Sequence, residues 1–499
     1  MSDVGISLRA EAGMAKGRKG GARKPDNARA RVVARIAAEV ERELKRRLPP
    51  NATFEQRNDM SAEIMNEVLF KRSDDDLQSL VAKKDEVVVE DDEEDARYRR
   101  LDQPSSATYV GRWGTHFVEE PLYRKVGAHN GPTVKPIELR AGIIEHMTPD
   151  MARIVGELSA CESSRELVRT LRTTGLYAPS RAFLAKRVSS MSEEIEAAAP
   201  RLEEAARAVE EIPTSVASVS CGMDRMSARM SEPASAETIA SRARRTEPYE
   251  RAAPPPKEFH YRKAWVGSMS LYDRTGKELR TLRYGTDASA DHDGLADRVA
   301  ADVLAIVRAR PAVKLHCVQD AAPELRALPE ALARVLPANT QVVQLVDLEH
   351  LMGYLEAVVD AVEPDGDPHD MKGWYRGELL RHDDAIDRIW VQLRRRARDL
   401  PGKRTKAREA VANALSYIRH RKHLMRYATH YAASLPIGSG ATESTCWQMQ
   451  ERVKRAGQSW ESPGLRGVMG VRGLVLSERW RDAWPTYAAS HRKELRCAA

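Results

Sequence analysis

Cysteines are few and scattered in this 499-residue chain: Cys161, Cys221, Cys317, Cys446 and Cys497 form no CxxC pair and have no histidine at finger spacing. That pattern argues against a zinc site or a disulfide framework and fits a reducing compartment. Long apolar runs are also lacking. No stretch reaches the roughly 18 apolar residues of a spanning helix, and the opening MSDVGISLRAEAGMAKGRKGG has no apolar signal-peptide core. The expectation is a soluble, cytoplasmic protein with no membrane partner. Nor does one charge sign dominate: 80 Lys and Arg against 73 Asp and Glu give a net +7, so where the charges segregate matters more than their sum.

What is present divides the chain into several segments, as its length requires. Residues 1–26, rich in Gly, Lys and Arg, read as a basic tail too polar to order itself. Residues 27–105 read as helical, with Val32, Val33, Ile36, Ala37, Val40 and Leu44 on one stripe, followed by an acidic linker around DDEEDARYRR. In 106–200, a small β element precedes three helices: Thr148-Pro149 starts the first, Ser163 or Ser164 caps the second, and the third begins near Ser180. This is the pattern of a helix-turn-helix, whose last helix would carry Arg181, Lys186 and Arg187 into the major groove of double-stranded DNA; plain helical packing is the alternative.

From 212 to 347 the period changes. Apolar runs and turn signals predict the order β-β-β-α-β-α-β, with the DRTG turn making a hairpin of strands two and three. Residues 348–436 are helical throughout, 437–485 return to the core, and 486–499 form a tail. The fold class is therefore an α/β core interrupted by an all-α insertion, with a helical N-terminal region. Asp224 follows the first strand, Asp320 ends the fourth, where open α/β sheets place their ligands, and Glu443 opens a helix far downstream. One carboxylate on a first strand, one at the end of a fourth and one from a helix beside them is the arrangement of an RNase H-type sheet. It suits two divalent ions at a phosphodiester, because hard Mg²⁺ (or Mn²⁺) takes oxygen ligands. Each residue alone has a structural reading: Asp224 in a turn, Asp320 as a helix cap, Glu443 favouring a helix dipole. Trp447 and Trp460 read as core.

The stretches CGMDRMSARM, VQDAAPEL, DLEH and PIGSGATES…ERVKRAGQSW, with the ending GVRGLVLSERWRDAW, resemble bacterial insertion-sequence transposases of the ISKra family, related to Mutator-like and hAT-like DDE enzymes with helical insertions. The resemblance covers about 106–485. It implies that Asp224, Asp320 and Glu443 are the catalytic and metal-binding triad, that two Mg²⁺ or Mn²⁺ ions assist cleavage of transposon ends, and that the freed 3′-OH attacks target DNA. It also implies a homodimer or larger synaptic assembly on double-stranded DNA, acting at the bacterial nucleoid. Asp347 and His350 match a D-x-x-H pattern with a supporting role. The run RRRARDLPGKRTKAR, with Arg394, Arg395, Arg396, Lys403 and Arg404, and the trio Arg452, Lys454 and Arg455 beside Glu443 are read as phosphate contacts. Two alternatives stay open: a non-catalytic DNA-binding descendant of a transposase, and an RNase H-fold nuclease without strand transfer.

Overall fold

The computed structural model describes residues 27–82, 84, 86–89, 96–103, 105–243, 256–287, 292–362, 368–400 and 405–497. The expected basic tail, the acidic stretch 90–95 and the pair Lys403 and Arg404 lie outside them. Two compact units are present, divided between Arg72 and Ser73. In the first, helix Asn27–Arg47 ends ahead of Pro49-Pro50 and helix Phe54–Ser79 begins. Ion pairs Arg47–Glu67 at 2.7 Å and Arg57–Glu41 at 3.1 Å join them. Leu44 and Ile64 are buried, whereas Val32, Val33 and Ile36 of the apolar stripe are exposed.

The second unit holds an α/β core with helices around it. Its central sheet has five strands: the first Ser218–Pro233, the second Lys257–Tyr272, the third Glu278–Thr286, the fourth Lys314–Gln319 and the fifth Val342–Val346. The spatial order is fifth, fourth, first, second, third. The first three form an antiparallel meander, while the fourth runs parallel to both the first and the fifth. The succession of strands and helices is the expected one except for helix Ala236–Ala243, which stands between the first two strands. Helices His292–Ala309 and Ala327–Val335 carry the crossovers and bury Leu295, Val299, Val303, Leu328 and Leu332 against the sheet.

Local chemistry sets the connections. At the DRTG turn, Asp273 Oδ1 accepts from the Thr275 and Lys277 amides at 2.8 and 3.0 Å, and Gly276 supplies φ +81°. The first and second strands are the longest of the sheet and pair from Ser218↔Tyr272 to Pro233↔Lys257, with helix Ala236–Ala243 in the segment that joins them.

The three N-terminal helices form where their caps predict: Pro149–Ser159, Ser164–Thr173 with a Ser163/Glu166 capping box, and Arg181–Ala197 capped by Ser180. The third packs its later turns on helix Ser462–Leu476, where Gly467 lets the Ser192 backbone approach so closely that a Cβ would meet it at 2.7 Å. The expected linker is partly sheet. Glu86–Val89 and Ala96–Arg100 are antiparallel strands, with Val87 and Val89 turned inward by strand alternation. The expected C-terminal tail begins inside helix Trp480–Ser490 and supplies strand Leu495–Cys497, which pairs with Glu86–Val89.

Residues 348–436 are helical among those described: Leu348–Val362, Pro368–Arg381, Ala385–Asp399, Lys406–Arg419 and Ala428–Ala432, around a core of their own that includes Leu355, Tyr375, Leu393 and Ile418. Across the sheet a buried ionic cluster ties the chain end to the core. Arg479 bonds Glu210 at 2.7 and 2.6 Å and Asp302 at 2.8 and 2.7 Å, and Asp302 also takes Arg207 at 2.7 Å. Among the described residues no helix is long and apolar enough to cross a membrane.

Candidate active site

Asp224 lies in mid-strand rather than just after a strand, because the first strand continues as one arm of the long hairpin. The parallel register of first and fourth strands is recorded up to Cys221↔Cys317. Continued three residues along each chain, that register leads to Asp224 within the first strand and to Asp320, the residue just past the end of the fourth. Two contacts hold this junction: Gln319 Oε1 accepts from the Met223 amide at 3.3 Å, and Arg225 pairs with Glu324 beyond the Asp320 turn. Gly222 is required there. A Cβ on it would lie 2.5 Å from the Val318 carbonyl oxygen and 2.7 Å from Thr442 Oγ1.

Helix Gly440–Val453 crosses the first and second strands and brings Glu443 to the same region. Thr442 Oγ1 lies 2.7 Å from Ser268 Oγ, and the Cys446 thiol donates to Asp224 Oδ2 at 3.6 Å. Burial, and then the charge of Asp224, push that thiol's pKa up, so it remains a protonated donor. The Glu443 carboxyl is also raised above its ordinary value, first by loss of solvent and then by the negative charges of Asp347 and Asp224. These three carboxylates therefore share one electrostatic neighbourhood.

Asp347, at the end of the fifth strand, is 1% exposed. Its Oδ1 accepts from the His350 amide at 3.0 Å and so caps the insertion's first helix; its Oδ2 accepts from the Ser439 amide at 2.6 Å and from the Ser439 hydroxyl. Ser439 precedes Glu443's helix without capping it by side chain. Asp347 thus fixes where that helix starts. His350 Nε2 stands 3.6 Å from Asp320 Oδ2, and Tyr417 from the insertion donates to Asp320 Oδ1 at 3.3 Å. The Tyr354 and Tyr417 rings stack at 4.3 Å beside the His350 ring. Asp320 is therefore held by side chains of the insertion and is not the cap of the following 3-10 helix, which begins at Pro323 with no side-chain cap. A cavity of about 500 Å³ opens between Glu443, His350, Tyr354 and Asn413.

The expected phosphate contacts separate into two kinds. Arg181 and Lys186 are exposed on the first turns of their helix, and Arg394 and Arg395 are exposed on helix Ala385–Asp399, whose half-buried Arg396 is engaged within the protein. Arg187, by contrast, is paired with Glu145 at 3.0 Å. Arg452 is buried, bonds the Ser159 carbonyl at 3.0 Å and lies over the Trp460 ring. Burial, with Arg455 and Arg472 nearby, lowers its pKa to about 10. Arg455 bonds Glu166 and the Cys161 carbonyl, and Lys454 bonds Gln450. Nine residues beyond Glu443, Arg452 stands about 13 Å along the helix, so this trio is not beside the carboxylate as expected; Arg452 and Arg455 clamp the three-helix region to the core, and Lys454 is exposed. Trp460 is half-buried as expected, but Trp447 is 63% exposed, one helical turn after Glu443. Tyr417, Gly222 and Ser439 were not singled out by the sequence, since their importance comes from partners far along the chain.

Comparison of the chain with known protein families, characterised proteins and solved structures finds no match. Among the described residues, no group of three or more His, Cys, Asp or Glu side chains is gathered closely enough to hold a metal ion. Like-charged carboxylates repel, and a divalent cation between them removes the reason to stay apart. The donor types at Asp224, Asp320 and Glu443 suit Mg²⁺ or Mn²⁺, being oxygen only.

Proposed function

We propose that this chain is a DDE-type transposase that cleaves DNA at transposon ends and joins the freed 3′-OH to target DNA. The reading rests above all on one observation: the register of the parallel first and fourth strands, continued past Cys221↔Cys317, runs to Asp224 and to Asp320 just beyond the fourth strand, and the Glu443 helix lies across the first strand with its Cys446 thiol donating to Asp224 at 3.6 Å. A five-stranded sheet with a three-strand meander, a fourth strand parallel to the first, and a fifth beyond it is also the order of an RNase H-like core. The helical insertion between the fifth strand and the glutamate helix agrees with the resemblance noted in the sequence.

In this reading Asp224, Asp320 and Glu443 would hold two Mg²⁺ or Mn²⁺ ions, whose positive charge stabilises the attacking and leaving oxygens of a phosphodiester. Asp347 sets the start of the Glu443 helix, and His350 and Tyr417 orient Asp320. In the first step water adds to phosphorus and the 3′ oxygen leaves as a hydroxyl. In the second that hydroxyl attacks a target phosphodiester, whose own 3′ oxygen departs. The exposed Arg181 and Lys186 of a helix-turn-helix would bind the ends as duplex, in a homodimer or larger assembly.

The test is a plasmid carrying the gene with its native flanking DNA, incubated with purified protein and Mg²⁺ or Mn²⁺. Wild type is expected to cut at the element's ends, and Glu443→Gln, Asp224→Asn and Asp320→Asn to cut no more than background. Cleavage by Glu443→Gln at the wild-type rate would remove the site assignment.

A further inference from the structure

The segment Arg419–Arg426, sequence RHRKHLMR, packs six basic or imidazole side chains into eight residues at the end of insertion helix Lys406–Arg419. It lies against the active-site turn. Arg421 Nε donates to the carbonyl of Ala321, the residue after Asp320, at 2.9 Å, and Arg421 lies 4.6 Å over the ring of Tyr417, which itself bonds Asp320. Next to it, Lys422 reaches over the Trp390 ring at 5.5 Å, and Arg394 covers the same ring at 4.7 Å. The cations thus form a connected row from Arg394, through Trp390 and Lys422, to Arg421 beside Asp320.

How they are held matters. Arg421 is fixed by carbonyls and a ring, and Arg394 by a ring, so among the described residues their positive charge is positioned without a carboxylate ion pair; Lys422 has Asp387 at 2.8 Å, half-exposed and therefore weakly neutralising. Arg419 and Arg426 are exposed at the two ends of the segment. A cavity of about 690 Å³ lined by Arg326, His420, Arg421 and His423 opens beside the Asp320 turn. Positioned cations in a row, of which Lys422 alone has a carboxylate partner among the described residues, suit a ligand with regularly spaced negative charge.

We propose that this row is a binding track for the phosphodiester backbone of the DNA that enters at Asp320, supplied by the insertion rather than by the helix-turn-helix. The proposal rests on the transposase reading and extends it by assigning the insertion a substrate-holding task. Its cations contact phosphate and not bases, so the binding it adds is independent of sequence and falls steeply with salt.

The experiment measures binding of full-length protein to a fluorescent duplex taken from the DNA flanking the gene, in EDTA, across a range of salt concentrations. Wild type is compared with the triple variant Arg394→Gln, Arg419→Gln, Lys422→Gln and with the charge-keeping variant Arg394→Lys, Arg419→Lys. The triple variant is expected to bind on the order of tenfold more weakly and to lose about one unit of salt slope for each phosphate contact removed. The lysine variant should keep the wild-type slope, and both should melt as wild type does. A triple variant with wild-type affinity and slope overturns the track while leaving the transposase reading in place. Wild-type protein that binds no duplex at any salt overturns both.

Discussion

Asp347 and Ser439 are joined twice, amide and hydroxyl of the serine both donating to one carboxylate oxygen across 92 residues of sequence. That oxygen ties the last strand of the sheet to the first turn of the Glu443 helix, and the whole helical insertion hangs between the two. Replacing Asp347 by Asn leaves one acceptor where three donors converge, and a buried donor without a partner costs about 1–3 kcal/mol. Asp347→Asn is expected to lower the unfolding free energy by that amount. It also removes a negative charge that raises the Glu443 carboxyl, so the Glu443 pKa, read by carboxyl NMR, should fall towards its ordinary value. A pKa that stays put would mean the two carboxylates are not coupled.

Gly222 has no room for a side chain between the fourth strand and the Glu443 helix. Gly222→Ala is expected to destabilise the fold by about 1–3 kcal/mol through overpacking, seen as a lower denaturant midpoint with an unchanged slope. Gly294, with open space around its Cβ position, is the matched control. Equal stability of the two alanine variants would contradict the close approach of strand and helix.

The Arg479 cluster predicts a larger loss. Burial alone would raise the Asp302 carboxyl, but Arg479 and Arg207 prevail and hold its pKa at about 2. Removing Arg479 leaves two buried or nearly buried carboxylates short of their main partner, so Arg479→Met is expected to cost about 3–5 kcal/mol. Thermal unfolding checks it; a change below about 1 kcal/mol would show that the cluster behaves as a surface pair.

His316 gives the chain a pH dependence. It is 1% exposed on the fourth strand and edge-on to His430. Burial, then His430 and Lys314, lower its pKa from 6.5 to about 4. Between those values the unfolded chain takes a proton that the folded chain refuses, so this group's contribution is complete above about pH 6.5 and declines as pH falls towards 4, by up to about 3 kcal/mol. Urea unfolding at pH 7 and pH 5 should show a smaller acid loss for His316→Leu than for wild type. Equal losses would place the acid sensitivity elsewhere.

Local signals made much of the fold legible. Ser163 with Glu166, Ser180, and Asp273 with Gly276 are caps and turns closed within a few residues, and the helices and hairpin stand where those signals put them. The alternation of strands and helices across 212–347 also reads directly from hydrophobic period. Long-range partners did not. Arg452 looks like a surface cation on its helix, and only the Ser159 carbonyl, 293 residues away, makes it a buried clamp. The strand Leu495–Cys497 is too short to announce itself without Glu86–Val89 beside it. At the site, the three carboxylates were visible by type and order, whereas Tyr417 reaching Asp320 from the insertion depends on how the helical insertion packs.

The most direct test of the account is a strand-transfer assay. A pre-cut DNA end with a free 3′-OH, taken from the native flank of the gene, is mixed with a target plasmid, wild-type protein or Asp320→Asn protein, and Mg²⁺. Covalently joined end and target are expected with wild type only, and none when EDTA replaces the metal. Joining by Asp320→Asn protein, or joining in EDTA, would contradict it.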